Sequence, residues 1–311
     1  MKRHDETFAC MGTTVRVLIE DSEQDPSTAG AWARAHLEAA AARLTRFDEG
    51  SELSRFNASP DPAPVASALL RAAVGAALWA AAATDGLVDP TLHGAIRRAG
   101  YRTSRAGAAP APLADALACA PARAPARPNR TARWREVRLA ADRIERPPGV
   151  ELDTGGTTKG LLADSVAHVL AGYDAFVVDC GGDMRIGGRA RTARDVIVEH
   201  PLHPSDATTL TVSSGGVATS GIGRRLWPRP GGGAAHHLLD PATGEPAWTG
   251  LIAATALAPT ALEAEARAKA ALLDGPGDAP ARLAPHGGVL IHDDGTVLHV
   301  APAPTLLAPV A

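Results

Sequence analysis

Lysine is nearly missing from this 311-residue sequence, with three lysines set against twenty-eight arginines. Cysteine is equally scarce. Cys10, Cys119 and Cys180 are an odd number without CxxC spacing, which excludes a disulfide framework and a cysteine-rich zinc site and fits a reducing compartment. An excess of one charge is lacking too: the formal net charge is −3 and the arginines are scattered, so nothing forms an electrostatic footprint for nucleic acid. No apolar run approaches a membrane span. The start, Met-Lys-Arg-His-Asp-Glu, leads almost directly into Thr13-Thr-Val-Arg-Val-Leu-Ile19, without the apolar stretch of a secretion signal. The expectation is a cytoplasmic protein with no membrane insertion. The apolar fraction, 45%, is ordinary for a globular chain and supplies a core for a single domain over 1–311.

What is present is a series of helices and short strands in clusters. Thr14 to Glu20 alternates as a strand, and Ala29 to Leu44 and Pro64 to Ala83 read as alanine-rich helices. The stretch 105–130, rich in Ala, Pro and Arg, reads as a mobile surface excursion with one short helix near Leu113 to Ala118. Trp134 to Leu139 and Arg143 to Arg146 suggest a hairpin. Short strands follow at Phe176 to Asp179, Met184 to Ile186, Val196 to Glu199, Leu210 to Val212 and Leu251 to Leu257, then a helix from Thr260 to Leu273 and strands at Val289 to Ile291 and Val297 to Val300. Without strict βαβ alternation, the pattern favours an α+β fold over a doubly wound sheet.

One of the three lysines lies in Asp153-Thr-Gly-Gly-Thr-Thr-Lys-Gly160. Glu151-Leu152 ends an apolar run, the glycines permit a tight turn with exposed amides, and Leu161, Leu162, Val166, Val169 and Leu170 recur with helical spacing. Strand, glycine turn, helix start is the expectation. Amides at a helix N-terminus favour an anion, and Lys159 adds a full charge. An ordinary turn with a solvated lysine explains the same residues, and neither a Walker loop nor a GxGxxG fingerprint is present.

Four further segments carry more polar chemistry than a core requires. Asp179-Cys-Gly-Gly-Asp183 sets paired glycines between carboxylates; Ala218-Thr-Ser-Gly221 reads as a small polar turn; His236-His-Leu-Leu-Asp-Pro-Ala-Thr-Gly244 joins two histidines, a carboxylate and a turn; Ser51-Glu-Leu-Ser-Arg-Phe-Asn57 mixes polar and aromatic groups. Taken in order with the lysine segment, Met11-Gly-Thr13, Asp85-Gly-Leu-Val-Asp-Pro-Thr91 and Ala258-Pro-Thr-Ala-Leu-Glu-Ala264, they resemble the ApbE family of flavin transferases over nearly the whole chain.

The resemblance implies a T-fold-like α+β architecture with mixed or antiparallel sheets and packed helices. It implies an enzyme that binds FAD and transfers its FMN half to a Ser or Thr of an acceptor protein, releasing AMP. Carried over by position, Met11, Phe47, Leu87, Val88, Asp89, Asp153, Gly155, Lys159, Thr219, Ser220 and Leu238 would contact FAD, and the Gly156 carbonyl would face a magnesium site. His237 matches the histidine that the family needs for transfer and would serve as base toward the acceptor hydroxyl, a role that contributes about 10²–10⁴ in rate. Asp240 is its candidate orienting partner. Two other outcomes share the binding residues: an FAD carrier or sensor without transferase activity, and hydrolysis of FAD to FMN and AMP.

The pattern breaks in the last long helix. Where the family carries an aspartate and, four residues on, a threonine-type magnesium ligand, this chain has Glu265 and Lys269. An ammonium has no lone pair for a metal. Three readings follow: a plain i,i+4 ion pair behind a Thr260–Glu263 capping box; Lys269 standing in for magnesium beside the diphosphate, held by Glu265; or Glu265 binding a metal with Lys269 turned away.

Overall fold

The computed structural model describes residues 1–229 and 232–303; the end of the expected 1–311 domain, 304–311, lies outside the described residues. Strands β1 (Lys2–Cys10) and β2 (Thr13–Asp21) open the chain, followed by α1 (Ser27–Leu44), α2 (Glu52–Ala58), α3 (Ala68–Ala83), α4 (His93–Arg98) and α5 (Leu113–Ala118). The short pair β3 (Arg138–Leu139) and β4 (Ile144–Glu145) precedes α6 (Thr158–Leu170), β5 (Ala175–Cys180) and β6 (Met184–Gly187). Then come β7 (Arg194–Val198), β8 (Thr208–Val212), β9 (Gly215–Gly221), β10 (Leu226–Pro228), β11 (Ala234–His236), β12 (Leu251–Ala258), α7 (Ala261–Leu283), β13 (Gly288–His292) and β14 (Val297–Val300).

Eight strands form one antiparallel sheet in the order β1-β2-β5-β6-β9-β12-β13-β14, so strands from both ends of the chain share one framework. The expected α+β class holds. One half of the core joins Val15, Val17 and Ile19 of β2 to Leu37 of α1, Leu162, Val166 and Leu170 of α6, and Val178 of β5. The other packs β12 and β9 against the alanine-rich face of α7, with Ala264, Ala268 and Ala271 fully buried. Each buried Val, Leu or Ile contributes about 1.5–3 kcal/mol of transfer free energy.

Several expectations change. Ala218-Thr-Ser-Gly221 is no turn; it is the end of β9, in the middle of the sheet. Its small residues are there for packing: a Cβ on Gly216 would lie 2.2 Å from the Thr260 carbonyl oxygen, where α7 begins. The helix expected from Pro64 starts at Ala68, capped by the Ser67 side chain, because Val65 bridges to Arg143 instead. Arg133–Glu136 forms a short 3-10 turn, leaving only Arg138–Leu139 and Ile144–Glu145 as the hairpin. The 105–130 excursion contains the expected helix at Leu113–Ala118. It lies mostly exposed and is tied down by backbone hydrogen bonds from Ala111 to Leu226, Ala124 to Trp248 and Ala126 to Leu273.

Candidate active site

Three turns meet at one end of the sheet. The β1–β2 hairpin turns on Met11 and Gly12, both at positive φ (52° and 69°), between paired Cys10 and Thr13. This two-residue geometry suits Asn-Gly, and a methionine there is held in a conformation its side chain disfavours. Gly181, at φ 74°, brings the β5–β6 turn against the hairpin: a Cβ there would fall 2.2 Å from the Thr13 Oγ1. That turn carries Asp183, whose carboxylate accepts a hydrogen bond from the Lys159 ammonium.

Lys159 stands in the first turn of α6. The extended segment before it is no strand: Leu152 exchanges two 2.8 Å bonds with the Asn57 side-chain amide, and Asp153 N donates to the Pro90 carbonyl. The glycine-turn amides are only partly free. Gly155 N donates to Asp153 Oδ1, and Gly160 N donates at 2.9 Å to Glu265 Oε2 on α7. Gly160 is required there, since a Cβ would lie 2.7 Å from the Leu262 backbone. Asp164 of α6 accepts from Ala261 N and Leu262 N at 2.9 Å, locking the two helix starts together.

Glu265 has no exposed surface, and its Oε1 accepts from Lys269 Nζ at 2.8 Å. Burial pushes its carboxyl pKa up, against the pull of Lys269. Lys269 also runs beside the glycine turn, its Cε 3.7 Å from where a Cβ on Gly156 would sit. Burial works against the Lys159 ammonium, but Asp183 and Glu265 outweigh it and the pKa is raised.

His237 faces this group. Burial first, then Arg225, His236, Lys269 and Lys159, drive its pKa well below the ordinary value, so the imidazole is neutral at pH 7. Lys159 is thus among the charges that act on His237. Arg225 lies over the hairpin, its Nη2 3.9 Å from a Cβ position on Gly12. Arg46 Nε pairs with Asp153 Oδ2 at 3.0 Å, and its guanidinium packs over both the Phe47 and Tyr101 rings, 4.2 and 4.5 Å from their centroids. Arg46 Nη2, Asp89 Oδ2 and His237 Nδ1 are buried without a hydrogen-bond partner. Such atoms call for a ligand, since each unmade bond costs about 1–3 kcal/mol.

Met11, Val88, Asp153, Gly156 and Lys159 are half-buried, Phe47, Gly155 and Thr219 are exposed, and Leu87, Asp89, Ser220 and Leu238 are buried. Thr219 shares a 2.8 Å bond with Thr255 across the sheet. Asp240 is a correction: its Oδ1 accepts from Arg127 N and Ala242 N and its Oδ2 from Thr243 Oγ1, so it secures the excursion and its own turn, not His237. Two open depressions, of about 610 Å³ beside Arg43 and Arg55 and about 340 Å³ beside Cys119 and Arg229, lie elsewhere and include neither Lys159 nor His237.

The sequence profile of the ApbE family matches residues 11–290, spanning every one of these turns. The chain belongs to the ApbE family. An FAD:protein FMN transferase of Treponema pallidum is 30% identical over 75% of this chain and 67% of its own length, and one from Klebsiella pneumoniae is 28% identical over 82% and 74%. Among solved structures, the ApbE protein of Thermotoga maritima superposes with a TM-score of 0.78 at 23% identity, covering 96% of this chain and 97% of the other. The apo flavinyl transferase ApbE of Pseudomonas stutzeri gives 0.75 at 22% identity, covering 96% of each. The ApbE fold is therefore common to them.

Within this ApbE chain the expected magnesium ligands do not fit a magnesium ion. Both Glu265 oxygens are engaged by Gly160 N and Lys269, an ammonium stands where an oxygen ligand is expected, and among the described residues no three His, Cys, Asp or Glu side chains gather to hold a metal. Sequence reasoning passed over Arg46 and Arg225. Arg46 directly precedes Phe47 and was legible as an aromatic-flanked cation; Arg225, one of twenty-eight arginines, carried no signal.

Proposed function

We propose that this chain transfers the FMN moiety of FAD to a Ser or Thr hydroxyl of an acceptor protein and releases AMP, working as one domain in the cytoplasm. The single observation that carries the reading is the meeting of the Lys159 helix start and Lys269 at one glycine turn, where Glu265 binds both Gly160 N and the Lys269 ammonium and the lysine stem lies against Gly156, in a chain of net charge −3. Like charges gathered in a partly buried place favour a polyanion, and a dinucleotide's diphosphate supplies two negative charges. Phe47, exposed and 5.3 Å from the buried Tyr101 ring that backs it, offers the aromatic surface that a fused ring system packs against. Relatives named FAD:protein FMN transferase support FAD as the substrate.

In this reading the acceptor oxygen attacks the FMN-side phosphorus, the bond from that phosphorus to the AMP oxygen breaks, and the hydroxyl proton passes to His237. Lys159, Lys269 and Arg225 neutralise the diphosphate oxygens while charge moves to the leaving AMP. His237 is neutral before the reaction and so is ready to accept the proton; the anionic substrate beside it then stabilises the imidazolium. Gly155, Asp89, Leu87, Val88, Met11, Thr219, Ser220 and Leu238 complete the FAD contacts. FAD and a protein acceptor are the partners this reading calls for, and no described helix is long and apolar enough to cross a membrane.

Incubation with FAD and a Thr-bearing acceptor tests the proposal. Covalent flavin on the acceptor with equimolar AMP is the expected result. Free FMN with AMP would make the chain an FAD hydrolase, and intact FAD would make it a carrier or sensor.

A further inference from the structure

The Glu265–Lys269 pair is placed where helix stabilisation cannot account for it. On a solvated helix such a pair is worth only tenths of a kcal/mol. Here the carboxylate is wholly buried and the lysine side chain is 13% exposed, and taking two charges out of water opposes folding unless something else draws on them. The two partners are also fixed on both sides. Glu265 Oε2 is tied to Gly160 N at 2.9 Å, its Oε1 holds Nζ at 2.8 Å, and the lysine stem lies against the glycine turn at Gly156. The ammonium is thereby held beside the turn that starts α6.

We infer that the Lys269 ammonium is the built-in counter-cation of the FAD diphosphate, so that this chain binds FAD and transfers FMN without a divalent metal. The inference rests on the FAD reading above. A lysine ammonium is a compact point charge that donates up to three hydrogen bonds, which suits non-bridging phosphate oxygens. A magnesium ion entering the same place would meet a like charge at contact distance and a carboxylate already engaged through both oxygens. Lys159 cannot supply this charge alone, because Asp183 already accepts a hydrogen bond from it. Lys269, with one of its three N–H bonds on Glu265 Oε1, adds a second ammonium donor beside the glycine turn.

The test is an FAD titration of the full chain, followed by flavin fluorescence, in EDTA and in magnesium. The wild-type dissociation constant is expected to agree within about twofold between the two buffers, since the cation is covalent. Glu265→Gln with Lys269→Met, which leaves no buried charge unmatched, is expected to weaken FAD about 10–100-fold in both buffers. Glu265→Asp with Lys269→Thr, which restores the oxygen ligands, is expected to bind FAD only when magnesium is present. Wild-type binding that is lost in EDTA and recovered with magnesium overturns the inference while leaving the FAD reading intact. Absence of FAD binding by the wild type in either buffer overturns both.

Discussion

At the scale of single residues, the account turns on His237. It is neutral, shielded and flanked by cations, and its conversion to alanine is expected to abolish flavin transfer while changing FAD affinity by less than about tenfold, about 1.4 kcal/mol. Asp240→Ala provides the contrast: the carboxylate serves Arg127 and Thr243, so transfer is expected to persist while stability falls by about 1 kcal/mol. Because the His237 pKa is depressed, kcat/KM is expected to stay level as pH is lowered through 6.5, where an ordinary histidine base begins to protonate. A conventional acid limb at pH 6.5 that vanishes in His237→Ala would contradict the electrostatic description. These residues were legible as types in an ordered pattern. Their partners were not: hydrogen bonding from a turn 113 residues away decides what Asp240 does, and no spacing rule contains that.

At the scale of elements, function shows as local departures from the best folding choice. Met11 occupies a left-handed position that asparagine or glycine takes with less strain, at about 1–2 kcal/mol for other residues. Met11→Asn is therefore expected to raise stability in urea by about 1 kcal/mol and to weaken FAD binding; weakened folding would refute the strain argument. The elements also show why part of the fold was hidden. Strand β12 and the first half of helix α7, to Leu273, were readable; the part of α7 beyond the non-helical Gly275, with Pro276 and Pro280, was not. Strand β9, Gly-Gly-Val-Ala-Thr-Ser-Gly, was not, because it is selected for closeness to α7, and small residues that allow such packing have the composition of a turn. Segment 151–154 failed in the opposite sense: it is extended, yet its hydrogen bonds are made by the Asn57 side chain and the Pro90 carbonyl.

At the scale of the whole molecule, one continuous sheet links the hairpin carrying Met11 to the strands flanking α7, so the site depends on the global fold. Burial makes that fold acid-sensitive. His236 has no exposed surface, packs edge-on to Trp248, and burial lowers its pKa to about 3. Its folded pKa lies below the unfolded value near 6.5, so between pH 6.5 and about 3 the unfolded chain binds the extra proton. Stability from this group is complete above pH 6.5 and declines by up to about 1.4 kcal/mol per pH unit as pH falls through that window. Replacing His236 with glutamine is expected to flatten this dependence in denaturant melts; an unchanged slope would assign acid sensitivity to other groups.

The central claim is that a dinucleotide diphosphate lies between Lys159, Lys269 and His237, and a crystal structure of the chain with FAD examines it most directly. The account predicts non-bridging oxygens of both phosphates within hydrogen-bonding reach of the two ammonium groups, with the FMN-side phosphate facing His237. A diphosphate bound instead in the depression beside Arg43 and Arg55, with Lys159 still held by Asp183 and no phosphate near His237, would contradict it.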